Sequence, residues 1–169
     1  MTSTSVGVYA TTRTHTAVHL ADVIMSSVGD ILATLGINAS SFYRDWSQDV
    51  TAISSWIAEG TLKSVALECH CPDGTVRPIF EFDVSYTSGG FGDRKFTSDN
   101  ASLLRYMAKI KSVPAGTRYR LFCTFNSSWH SDQTGWSPGS RASTSGLRSR
   151  TVGTLAGGPD ATATTRIHS

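Results

Sequence analysis

Five groups of residues in this 169-residue chain have types and spacings that catalysis or ligand binding could use. Gly135-Trp136-Ser137-Pro138-Gly139 formally matches the G-x-S-x-G turn that presents a serine nucleophile. That turn needs a strand to deliver the serine and a helix immediately afterwards, whose N–H groups face the oxyanion. No apolar strand precedes Ser137, and Pro138 has no N–H to donate. The pentapeptide reads as a turn, and no residue is assigned a catalytic role. Cys69-His70-Cys71 offers metal-ligand types, but on a strand His70 points away from both cysteines, and Cys123 makes no second half-site of zinc spacing. His15 and His19 stand one helical turn apart without the acidic residue of an H-E-x-x-H pair. Gly89-Gly90-Phe91-Gly92 lacks the Lys-Ser/Thr that completes a phosphate loop. No metal and no cofactor is expected. Arg141, Arg148, Arg150 and Arg166 could meet phosphates, but without interleaved aromatics or a recognition helix. A small basic nucleic-acid-binding domain stays as the alternative reading.

The elements that would position these residues follow from apolar periodicity. From about Thr14, Val18, Ala21, Ile24, Val28, Ile31 and Leu35 recur at helical spacing, and Gly36 offers the stop. A second helix is predicted from Ser41 to Glu59, with Phe42, Trp46, Val50, Ile53 and Trp56 on one face and Gly60 at its end. Val65, Leu67 and Cys69 alternate with polar residues, Pro72-Asp73-Gly74 turns the chain, and Val76 to Tyr86 alternates again, which predicts a hairpin. Residues 87–96 read as a mobile loop. A third helix is predicted from Ser98 to Lys111 and a further strand from Arg118 to Phe125. Together these give an α+β fold, an antiparallel sheet with three helices packed on one face.

Composition divides the chain. It holds 24 Ser and 21 Thr, and residues 126–169 alone hold 16 Ser/Thr and 6 Gly with few large aliphatics, so the core is expected in residues 14–126. Residues 1–100 carry 6 Lys/Arg against 11 Asp/Glu, and residues 101–169 carry 9 against 2, so an acidic front half meets a basic back half. That asymmetry suggests an acidic peptide or protein surface as partner. No run reaches the ~18 apolar residues of a membrane span, so no membrane contact is expected. Three cysteines cannot all pair within one chain, and reduced thiols fit a cytoplasmic protein.

The order of these elements resembles the HORMA domain. THTAVHLADVIMSSVGDILATLGI, the Trp46 to Gly60 run, the VALECHCPDGTVRPIFEFDVSY hairpin, PAGTRYRLF and the late GW…R-x-S-T-x-G-L…VGT sequence are similar to the bacterial HORMA family associated with CBASS, over roughly residues 9–157. The resemblance implies a HORMA fold with a C-terminal safety belt that wraps over short closure-motif peptides, the peptide adding a strand to a sheet edge. It implies a non-enzymatic adaptor for anti-phage defence. The peptide-bound closed form would bind and activate a cGAS/DncV-like nucleotidyltransferase, and an AAA+ ATPase remodeller would reset it by pulling on the N-terminus. The chain then divides into a flexible arm at 1–12, a core at 13–126, a belt at 127–158 and a polar tail at 159–169. The tail is a candidate closure-like strand for another HORMA copy. Position and burial logic nominate Arg118, Arg120, Phe122, Thr124, Trp129, Trp136, Leu147 and Val152 as peptide contacts, and Val6, Val8 and Tyr9 as the remodeller handle.

Overall fold

The computed structural model describes residues 2–87, 96–110 and 112–169, and the side chains of residues 2–12 lie outside that description. Helix α1 (Thr2–Leu35) carries the apolar stripe read from its sequence: Leu20, Ile24, Met25, Val28, Ile31 and Leu32 are fully buried. At Gly36, φ +71 lets the chain turn back, and the Ile37 N–H reaches the Leu32 carbonyl at 3.0 Å. The expected arm at 1–12 is helical from Thr2, because a helix nucleated by the packed stretch after Thr14 propagates at small cost per residue. Arg13–Leu35 is long and apolar enough to cross a membrane by length and composition, yet here most of it is buried inside the fold.

The expected second helix is two: α2 (Ser40–Arg44) and α3 (Trp46–Glu59). They break at Asp45, whose carboxylate pairs with Arg44 at 3.1 Å. The break sets the Phe42 and Trp46 rings edge to face, 5.3 Å apart. Gly60, at φ +77, ends α3, and the Thr61 N–H bonds back to the Trp56 carbonyl at 3.1 Å. The chain thus enters strand β1 (Leu62–His70) directly beneath the helix it has left.

Strand β2 (Val76–Tyr86) returns antiparallel to β1 with Leu67 opposite Phe80 and Val65 opposite Phe82. Within the loop expected at 87–96, residues 88–95 fall outside the described residues. The chain then adds a short β3 (Thr97–Ser98) and helix α4 (Ala101–Met107). Helix α4 is shorter than the predicted Ser98 to Lys111. The Asp99 N–H is drawn into a bond with the Leu155 carbonyl at 2.7 Å, and after Met107 the bonds tighten to i→i+3. Strand β4 (Arg118–Phe125) pairs with β1.

The last two strands, β5 (Ser149–Gly157) and β6 (Ala161–His168), correct the expected boundaries. The tail at 159–169 is an inner strand, since β6 lies between β5 and β2. Ile167, Thr165 and Ala163 stand opposite Phe80, Phe82 and Val84, so Ile167 extends the apolar layer beside Phe80 while the smaller Thr165 sits beside Phe82. The core therefore extends well past residue 126, taking in Leu155, Ala156, Ala161, Ala163 and Ile167. All pairings are antiparallel and the strand order is β3-β5-β6-β2-β1-β4, with the helices on one face.

Ile24 is fully buried at the centre of α1. Ile24→Ala is expected to destabilise the fold by about 2–5 kcal/mol through lost burial and the cavity left behind, measured as a shift in the urea unfolding midpoint at unchanged slope.

Candidate functional site

The sheet has two edges, and they are built differently. On the β5 side, Thr97 and Ser98 cover Gly157 and Ala156, and two register shifts, near Gly153 (φ +128) and between Thr154 and Ala156, disturb the strand. Bulges of this kind unfit an edge for further pairing. On the other side, β4 pairs with β1 in unbroken register from Ser64↔Thr124 to His70↔Arg118. Its outer edge pairs with no other strand among the described residues.

The segment 126–148 leaves β4 at this open edge and must reach β5 at the far side of the sheet. Its first part stays on the helix side. The Asn126 N–H bonds to the Thr61 carbonyl at 2.8 Å, the Trp56 indole donates to the Ser131 carbonyl at 2.7 Å, and the Ser131 N–H faces Glu59 at 3.4 Å. His130 stacks on Phe125 with ring centres 3.7 Å apart, and Trp136 meets Trp56 edge to face at 5.4 Å. Gly135 lies against the Gln48 side chain at φ +83, a backbone state that needs glycine. After Ser137, Pro138 and Gly139 the chain is on the opposite face, where Arg120 donates to the Ser140 carbonyl.

The crossing is fastened there by two buried carboxylates. Glu68 is fully buried and accepts from Arg120 at 2.8 Å, from the Ala142 N–H at 2.8 Å and from His70 at 3.1 Å. Glu81, 2% exposed, is bonded by Arg141, by Arg166 at 3.3 Å and by His168 at 2.9 Å. Arg166 also forks onto Asp83 at 2.6 and 2.9 Å. Burial opposes the charge on both glutamates, but these donors outweigh it and hold both carboxyls below the ordinary glutamate value. Three of the nine cations of the basic back half are thus engaged inside the molecule: Arg120, Arg141 and Arg166 all bond the chain's own acids.

Between β4 and the crossing segment lies a groove of about 610 Å³, lined by Trp56, Leu121 to Phe125, His130, Asp132, Trp136 and Pro138 among others. Arg120, Phe122, Thr124 and Trp136 of the nominated residues line it. Trp129 is 67% exposed and Arg118 is exposed, and neither is among the lining residues. Leu147 borders a separate depression with His70 and Arg77, and Val152 packs on the core from β5. Val6, Val8 and Tyr9 lie on α1, with side chains outside the description. Ser137 is an exposed part of the crossing, so the G-x-S-x-G pentapeptide serves as the bend around the β4 edge. Cys69 is buried, whereas Cys71 sits past the end of β1 with its thiol toward the Arg77 carbonyl at 3.5 Å, so only one of the two is a core cysteine.

The fastening carboxylates were not singled out from sequence, and Arg120, Arg141 and Arg166 were singled out for other roles. A signal existed: Glu68, Glu81 and Asp83 occupy the polar phase of two adjacent strands, a cluster of acids that needs cations from elsewhere.

The family model described as bacterial HORMA domain 2 matches residues 3–167. No curated protein matches the chain. The fold is similar to "Crystal Structure of Mitotic Checkpoint Complex" (TM-score 0.72, 9% identity, covering 88% of this chain and 95% of that one). It is similar to C. elegans HTP-1 bound to the HIM-3 closure motif (TM-score 0.68, 12% identity, 88% and 87%). A third similar structure is the E. coli MS115-1 CdnC:HORMA-deltaN complex (TM-score 0.58, 14% identity, 90% and 86%).

Glu81→Gln keeps the shape but removes the charge that Arg141, Arg166 and His168 share, and is expected to cost on the order of 3 kcal/mol. Amide exchange at residues 140–142 should accelerate more than exchange in α1. Because both glutamates titrate lower folded than unfolded, their contribution is complete above the unfolded value and is lost as the pH falls below about 4. Proteolysis within 126–148 on acidification, with α1 still protected, is the observable.

Proposed function

The chain belongs to the bacterial HORMA domain family, and on that premise we propose that it is a peptide-capturing signalling adaptor. The observation that carries this reading is the groove between the regular, unpaired edge of β4 and the segment that passes around it. An extended peptide entering that groove gains a ladder of main-chain hydrogen bonds from β4 and is enclosed by the crossing segment, which acts as a safety belt. The exchange is slow because the belt has to lift before the peptide leaves. HTP-1 with the HIM-3 closure motif is a similar fold holding such a peptide, which supports the reading.

In the peptide-bound state the adaptor binds and activates a cyclic-oligonucleotide synthase of the cGAS/DncV-like type in anti-phage defence. The similarity to the CdnC:HORMA-deltaN complex supports that partner. An AAA+ ATPase resets the adaptor through the N-terminal segment that includes Val6, Val8 and Tyr9. The three unpaired thiols suit a cytoplasmic setting. A nucleic-acid-binding role is weaker, because three arginines that a phosphate backbone would use are bonded to the chain's own carboxylates.

Cutting the chain after Asn126 would also remove β5 and β6, whose Leu155, Ala163 and Ile167 fill the core. A site-specific protease sequence inserted at residues 143–146, where the belt is mostly exposed, leaves both strands in place. Peptides recovered from a random display library on the uncut protein should dissociate slowly. After cleavage their off-rate should rise at least tenfold, with the circular dichroism unchanged. Equal off-rates before and after cleavage would refute capture by a belt.

A further inference from the structure

The two walls of the groove differ chemically, and the difference bears on which peptide it takes. Side chains of a strand added to β4 alternate between the two faces of the sheet, with residues i and i+2 on one side about 7 Å apart. On the helix side they meet an aromatic trough. Trp56 is fully buried at its floor, Phe125 and Trp136 each pack against Trp56, at 4.9 and 5.4 Å, and His130 and Cys123 complete the lining. A polar side chain there would give up water to face mostly ring surface, whereas an apolar one would replace water on several rings at once.

The charge around the same wall is one-sided. Arg120 and Asp132 are the charged residues of the lining, and Arg120 is already bonded to Glu68 and to the Ser140 carbonyl. Asp132 is exposed at the rim and makes no ion pair among the described residues. Behind the trough sits Asp49, half-buried. Its carboxyl is pushed up chiefly by burial and then by Asp45, with the Trp136 indole N–H pulling the other way from beyond hydrogen-bond range. Burial, and secondarily Asp49, also pushes the Cys123 thiol up. Glu59, holding Ser131, is a third acid on this side.

We propose that the groove selects an extended peptide carrying an apolar anchor in the trough of Trp56, Phe125 and Trp136, with a lysine or arginine two residues away facing Asp132. This deepens the peptide-capture reading and rests on it. At this site it reverses the partner charge that the overall composition suggested: Arg120 is bonded to Glu68, and the charge left without an ion pair at the mouth of the groove, Asp132, is negative. An acidic residue placed beside Asp132 would meet repulsion from Asp132, with Glu59 held at the neighbouring Ser131.

A random peptide-display library panned on the full chain, on Asp132→Lys and on Trp136→Ala tests this. The wild type should enrich sequences with an apolar residue and a Lys or Arg at i±2. Asp132→Lys, an exposed change that leaves the trough intact, should keep the apolar anchor and replace the cation preference with an acidic one. It should also weaken a recovered basic peptide about tenfold. Trp136→Ala should weaken every recovered peptide at least tenfold, and Trp136→Phe, which keeps an aromatic wall, should restore most of that loss. Enrichment of acidic peptides by the wild type, or the same sequences from wild type and Asp132→Lys, would overturn the proposal while leaving peptide capture standing. Recovery of no peptide by the wild type would overturn capture itself, and the proposal with it.

Discussion

The chain has to travel from one edge of its sheet to the other between β4 and β5, and Glu68 and Glu81 are what hold it on the way. Neither acid could be buried on that face alone, since an uncompensated carboxylate there would be costly. Each is satisfied by donors from two places: the crossing segment, and strands of the sheet, β1 and β4 for Glu68 and the C-terminal strand β6 for Glu81. The pair therefore ties together elements far apart in sequence. With the belt lifted, Glu81 loses Arg141 and Glu68 loses the Ala142 N–H. Both retain other donors, so the opened state is strained and still not forbidden.

That balance matters because buried ion pairs add little net stability relative to apolar packing, while their disruption is expensive only when a charge is left alone. A belt fastened by leucines would open only by exposing a large apolar surface. A belt fastened by shared carboxylates has a discrete docked geometry and leaves partly satisfied acids when it moves. Its Ser, Thr and Gly content belongs to the same logic, for such residues gain little by burial and bend easily at Gly135 and Gly146, both at positive φ. Its aromatic docking groups are Trp136 and His130, both packed edge to face on Trp56.

Much of the scaffold was legible in the sequence. The α1 stripe, the β1–β2 hairpin and β4 each obey one clear periodicity, and each lies close to where that periodicity puts it. The belt groove was legible in part, since Arg120, Phe122, Thr124 and Trp136 were reachable from strand position and aromatic scarcity. The fastening was not, because a period-2 pattern says which face a residue occupies and not whether that face is later covered. Glu68 reads as solvent-facing until residues 140–142 are known to lie over it. Strand β6 was hidden for a related reason: Ala161, Ala163 and Thr165 look polar or neutral in a hydropathy reading, yet opposite Tyr86, Val84 and Phe82 small size is the property that fits.

The net charge shows the same limit at the scale of the whole chain. A split between an acidic front and a basic back looks from the sequence like an advertisement for an external partner. In the folded protein Arg120 meets Glu68, Arg141 and Arg166 meet Glu81, and Arg166 meets Asp83, so part of the asymmetry closes on itself. What remains available for recognition is the local remainder after those pairings, and at the groove that remainder has the opposite sign. Charge complementarity within the fold and charge complementarity with a ligand draw on the same side chains. The first has to be subtracted before the second can be read.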